Sequence, residues 1–184
     1  MVGIKFDFDD ILIEPTISCD IDSRSEINTY DQDNFLPIFT APMDTVVSYD
    51  NYTIYDNNKL ISILPRTGNM PIQLNTFPGW VAYSLDHFID RFVQNKPKLI
   101  FRHKVLIDIA NGHMIKLQNA IYDAKKTYGD DLIIMAGNVA NPFTYKVLSN
   151  SGADYVRIGI GNGGGCLTTQ QTGIGYPMAS LIFE

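Results

Sequence analysis

Cysteine is scarce in this sequence: 184 residues hold two, Cys19 and Cys166. Two cysteines cannot staple a small scaffold, so the fold must rest on a buried core, and in a reducing compartment both stay thiols. Positive charge is also in deficit. The chain has 14 lysines and arginines against 20 acidic residues, a formal net charge of -6. A surface of that sign is a poor counterion for phosphate chains, which excludes nucleic acid as the expected partner. No apolar run reaches the roughly 20 residues of a membrane span, so no membrane partner is expected. The opening MVGIKFDFDD places acidic side chains where a secretory signal needs a basic start and an apolar stretch, which predicts a cytoplasmic protein. The three histidines, His87, His103 and His113, stand at no metal-ligand spacing from the cysteines, and no zinc site is expected.

What remains is a globular composition, 45% hydrophobic and 18% charged, long enough for one domain with a substantial core. Six short apolar runs recur between turn signals: LPIFTAPM (36–43), KLISILP (59–65), GWVAYSL (79–85), KVLIDIA (104–110), DLIIMAG (131–137) and DYVRIGI (154–160). Their apolar residues run on instead of alternating, the pattern of strands buried on both faces. Between the later runs lie helical patterns. In 113–129 Met114, Leu117, Ile121, Ala124 and Tyr128 recur at spacings of three and four before Gly129, and 143–152 repeats this on a smaller scale. Strand and helix in alternation predict parallel strands with right-handed crossovers.

Polar residues gather at the ends of these runs: Pro42, Met43 and Asp44, then Arg66, Ser84, Asp108 with Asn111, Asn138, and finally a glycine loop. A site spread over six successive strand ends fits a parallel (β/α)8 TIM barrel better than an open sheet, which concentrates its site at one switch point. The expectation is therefore a single barrel domain over 1–184, incomplete because about six of eight strands are present. An open sheet leaves unpaired edges, so a complementary polypeptide or a lost C-terminal part is expected to supply the rest.

The glycine loop GNGGGCLTT (161–169) places Cys166 among glycines. Its Gly159, Gly161, Gly164 spacing matches a dinucleotide fingerprint only weakly, because a cysteine and two threonines intervene before any helix. Such a loop can equally be a mere turn, or can bring amides to a phosphate and carbonyls to a cation. Cys166, exposed on that loop, is a candidate nucleophile; Cys19, between Ile17 and Ile21, reads as a small buried hydrophobe. Thr168 could orient a leaving group or serve as a turn residue. Asp108 could take a ribose hydroxyl pair or cap a helix, and Arg66 could bind an anion or sit solvated.

FDFDDILIEP (6–15), SRSEI (23–27), APMDTVVS (41–48), IDIANGH (107–113), MAGNVA (135–140) and GADYVRIGIGNGGGCLTTQQTGIGYP (152–177) occur in one order. That order resembles the IMP dehydrogenase / GMP reductase family. The resemblance implies a TIM barrel in which a loop cysteine attacks C2 of a purine nucleoside monophosphate and a hydride passes between that carbon and a nicotinamide cofactor. It makes Cys166 the nucleophile and Thr168 the threonine that helps activate ammonia or water. It gives Gly161, Gly163 and Cys166 as carbonyl ligands of a monovalent cation, potassium. Met43 packs on the base, and Asp108, Asn138, Gly164 and Gly165 contact the substrate; Asp108 and Arg66 lie on the cofactor side.

Within that family, LPRTGNMPIQ runs straight to the next strand where dehydrogenases commonly insert regulatory modules, and the ANG, MAGNV and TGIGYP stretches resemble GMP reductase more closely. The resemblance implies NADPH-dependent conversion of GMP to IMP and ammonia. The alternatives are IMP oxidation with NAD, and a non-catalytic nucleotide-binding relative. Asn162, Gly163 and Gly164 stand where the family usually has Pro-Gly-Ser, so a phosphate-binding serine is absent, and Pro65 replaces a usual histidine. The family's strands seven and eight and its flap have no counterpart here, which implies a complementary polypeptide in a homo- or hetero-oligomer.

Overall fold

The computed structural model describes residues 3–66, 77–163 and 166–184. Five parallel strands lie in sequence order in one sheet: β1 (Ile63–Leu64), β2 (Trp80–Tyr83), β3 (His103–Asp108), β4 (Leu132–Val139) and β5 (Tyr155–Ile158). Each coincides with a run expected from the sequence. The first run, 36–43, is in place beside β1 but reduced to a single parallel bridge between Phe39 and Ile61, reinforced by Thr40, whose N–H donates to Ile61 O. The helices are α1 (Tyr52–Asn57), α2 (Leu85–Phe88, continued by a π turn), α3 (Ile115–Tyr128), α4 (Pro142–Asn150), α5 (Thr168–Thr172) and α6 (Met178–Phe183).

β1, β2 and most of β4 are buried on both faces, which is why their runs are continuously apolar, whereas β5 is only partly covered. Outward, Val105, Ile107, Leu132, Ile134 and Ala136 pack on Leu117, Ala120, Ile121 and Ala124 of α3 and on Leu148 of α4. The spacing of 117, 120, 121 and 124 is one face of a 3.6-residue helix, and Met114 and Tyr128 flank it partly buried. Gly129, at φ +53°, ends the helix. Truncating fully buried Ile121 to alanine would remove part of that stripe at a cost of about 2–5 kcal/mol. Inward, Ile63, Trp80, Ala82, Leu106, Ile133 and Met135 form a second cluster with Phe39 and Ile61. There the rings of Phe39, Trp80 and Tyr155 meet edge to face at 5.5–6.3 Å, so the curled sheet brings the 36–43 segment against β5.

Local signals fix the connections. Asn141 caps α4 through its side chain, which accepts the Phe143 N–H at 2.8 Å, with Pro142 at the first helical position. Ser84 caps α2, so this strand-end serine is structural. Residues 5–7 are held against α6: Phe6 N–H donates to Ser180 Oγ at 2.7 Å, Ser180 N–H to Phe6 O at 3.1 Å, and Lys5 pairs with Glu184. Cys19 corrects the expectation of a buried thiol. It is exposed, because the 12–22 segment lies extended with Leu12, Ile13 and Ile17 over 90% exposed. Among the described residues no helix is long and apolar enough to cross a membrane.

Candidate active site

The C-terminal ends of β1, β3, β4 and β5 open onto one cavity of about 280 Å³. It is lined by Arg66 beyond β1, Asp108 to Ala110 at the end of β3, Asn138 of β4, and Ile160, Gly161, Cys166 and Thr168 of the loop after β5. Two larger cavities, about 500 and 770 Å³, lie elsewhere on the inner face of the sheet and at its N-terminal end, and neither includes Cys166. The smaller one is the candidate site because it gathers a thiol, a hydroxyl, a carboxylate, an amide and one guanidinium group.

Each side chain is placed by backbone geometry. Cys166 is tethered by its backbone N–H, which donates to Gly163 O at 2.8 Å. Thr168 opens α5, and its Oγ1 lies 3.3 Å from Cys166 Sγ. When the sulfur is a thiolate the hydroxyl donates to it, and this bond together with the Thr168 backbone N–H holds the thiol below the ordinary thiol range. Gly161, at φ +75°, lies so close to Thr169 Oγ1 that a Cβ would overlap it. The missing side chain lets the Thr169 hydroxyl share its proton between the carbonyls of Ile160 and Ile174, at 3.2 and 2.9 Å, which folds the loop back onto β5.

Asp108 is not a helix cap. Its Oδ1 accepts from Arg157 Nη1 at 2.8 Å, and its Oδ2 lies 3.7 Å from Arg66 Nε. Asn138 donates from Nδ2 to Gly159 O at 2.8 Å, tying the end of β4 to the start of the cysteine loop. Arg157 was not legible as a site residue, since DYVRIGI reads as an apolar strand. The available signal was a lone charge two positions after Tyr155, on the same face of an otherwise apolar strand.

The structure thus brings together Cys166, Thr168, Asp108, Asn138, Arg66 and Gly161. Met43 is half-exposed after the Phe39 segment and does not line this cavity. Gly163 lies beside Cys166 and outside the lining. Gly164 and Gly165 lie outside the described residues. Among the described residues no three His, Cys, Asp or Glu side chains converge as metal ligands.

The chain is similar to known proteins in sequence and fold. Residues 99–184 match the IMP dehydrogenase / GMP reductase domain. The chain is 30% identical over 207 residues to a GMP reductase of Yersinia enterocolitica, covering 99% of this chain and 57% of that protein. It is 28% identical over 203 residues to GMP reductase 2 of Homo sapiens, covering 98% of this chain and 57% of that protein. The crystal structure of inosine 5′-monophosphate dehydrogenase from Legionella pneumophila superposes with a TM-score of 0.74 at 25% identity, over 97% of this chain and 58% of that one. The chain spans a little over half the length of the relatives it matches. With its parallel sheet corresponding to part of a TIM barrel and its cysteine loop at the strand ends, the chain belongs to the IMP dehydrogenase / GMP reductase family.

Proposed function

We propose that the cavity binds GMP and that Cys166 forms a covalent bond to purine C2 during reductive deamination to IMP and ammonia. The observation that carries this reading is the Cys166–Thr168 pair, a thiol lowered by its neighbour and open to the cavity that also holds Asp108 and Asn138. The thiolate attacks C2, and the C2–N bond to the exocyclic amine breaks as the nitrogen takes a proton and leaves as ammonia. Thr168 is placed to orient that nitrogen. Hydride delivery to C2 and cleavage of the Sγ–C2 bond then release IMP and regenerate the thiolate.

NADPH, when bound, supplies the hydride. Arg66, half-exposed and already beside Asp108, fits a cofactor-side role by charge, and Asp108 can accept from a ribose hydroxyl. The cation fits less well. Of the three proposed carbonyls, that of Gly163 also accepts the Cys166 N–H at 2.8 Å, which takes up one of its lone pairs.

A cavity of about 280 Å³ suits a base and part of a ribose, and leaves the phosphate without a full set of donors. We propose that a second polypeptide supplies the phosphate-binding strands and the flap, within a homo- or hetero-oligomer. The edge of β5 supports this: among the described residues β5 pairs with β4 alone, and Tyr155 on it is half-exposed. A second reading, oxidation of IMP with NAD and water by the same thiolate, draws support from the fold match to an IMP dehydrogenase.

The test is turnover by the protein purified with whatever chains accompany it. GMP-dependent NADPH oxidation supports the first reading, IMP-dependent NAD reduction the second. Nucleotide binding without either activity marks a non-catalytic relative.

A further inference from the structure

Asp108 is the last residue of β3 and Asn138 stands one residue before the end of β4, and one side chain outside the cavity spans the two segments that follow them. His113 Nε2 lies 3.2 Å from the backbone nitrogen of Ala140, and Nδ1 lies 2.9 Å from Thr144 Oγ1. A backbone N–H can only donate. Nε2 is therefore the acceptor, and the ring hydrogen sits on Nδ1, from which it donates to the Thr144 hydroxyl. The His113 backbone N–H in turn donates to Asn111 Oδ1 at 3.1 Å, which sets the turn that presents the ring.

Around this ring the two loops are joined by main chain. Ile109 N–H donates to Gly137 O at 3.0 Å, Asn138 N–H to Ile109 O at 2.6 Å and Gly112 N–H to Asn138 O at 2.9 Å. Gly112 approaches so closely that a Cβ there would lie 2.6 Å from Asn138 O. That ladder reaches Gly112. The His113 ring extends it by two bonds, to the residue before the α4 cap and to a hydroxyl in the first turn of α4.

We propose that His113 is a positioning residue: as its Nδ1–H tautomer it latches the loop after β3 onto the start of α4 and fixes Asp108 relative to Asn138. It does not itself line the cavity. The two bonds require one acceptor and one donor on a single side chain, which lysine or arginine cannot supply and glutamine can. The link to catalysis rests on the reading of the cavity given above; the tautomer and the latch do not.

Three readouts on the purified protein separate these claims. Imidazole nitrogen NMR is expected to show His113 protonated at Nδ1 and bare at Nε2. Amide hydrogen exchange at Ala140 is expected to quicken roughly tenfold in His113→Ala, as a local opening becomes easier, and much less in His113→Gln. Thr144→Val, which removes only the hydroxyl, serves as second variant should His113→Ala fail to fold, and is expected to quicken the same amide. An Nε2–H tautomer, or Ala140 exchange unchanged in both His113→Ala and Thr144→Val, overturns the latch. In GMP-dependent NADPH oxidation, His113→Ala is expected to raise KM for GMP several-fold with partial rescue by His113→Gln. A confirmed latch with unaltered KM would overturn the placement of Asp108 and Asn138 in the substrate site while the latch stands.

Discussion

Arg157 on β5 and Asp108 at the end of β3 meet across β4, Nη1 to Oδ1 at 2.8 Å. The residue between them in register is Gly137, paired with Asp108 on one side and Arg157 on the other. At φ +144° it holds a conformation that side chains rarely adopt, and a Cβ there would lie 2.5 Å from Arg157 O. Gly137 thereby lets β5 close on β4 where the ladder shifts register, next to the ion pair.

Gly137→Ala is expected to cost about 1–3 kcal/mol from backbone strain alone, and more if β5 must move. Urea denaturation reads this as a lower midpoint at an unchanged slope. An unchanged midpoint would show that the strand pair tolerates a side chain there.

Removing the guanidinium in Arg157→Met leaves Asp108 with only the looser Arg66 contact. The carboxylate should then swing, and GMP affinity is expected to fall about tenfold, the scale of one charge-assisted hydrogen bond. Arg157→Lys is expected to restore only part, because an ammonium lacks the planar fork of donors. Calorimetric titration with GMP checks both variants, and wild-type affinity in Arg157→Met would remove Arg157 from the site.

Strand and helix positions were legible because burial on both sheet faces leaves continuous apolar runs and because the α3 stripe at 117, 120, 121 and 124 keeps a clean helical period. The 36–43 run was legible as extended but not as a mere bridge, since pairing depends on a neighbour on its other side. Cys166 and Thr168 were visible through their glycine setting. Arg157 was hidden inside an apolar strand, Met43 falls outside the cavity, and the exposure of Cys19 depends on the course of an extended segment that composition does not encode. The His113 latch joins residues 27 and 31 positions apart, which no local pattern reports.

Thr168→Val removes the first cause of the lowered Cys166 thiol, the hydroxyl bonded to its sulfur. Because that bond favours the thiolate, its loss is expected to move the pH midpoint of alkylation upward. Iodoacetamide rates followed against pH in a Cys19→Ser background isolate the one sulfur. A midpoint that stays in place would assign the lowering to the Thr168 backbone or to the loop.

The central claim, that Cys166 is the nucleophile of a purine-nucleotide oxidoreductase completed by another chain, is tested most directly on the affinity-purified native protein. Native mass spectrometry reads the composition, and NADPH oxidation with GMP is compared between wild type and Cys166→Ala. The account predicts a second polypeptide at equal stoichiometry, GMP-dependent turnover, and loss of that turnover in Cys166→Ala with the assembly intact. A lone chain without turnover, or turnover that survives Cys166→Ala, would contradict it.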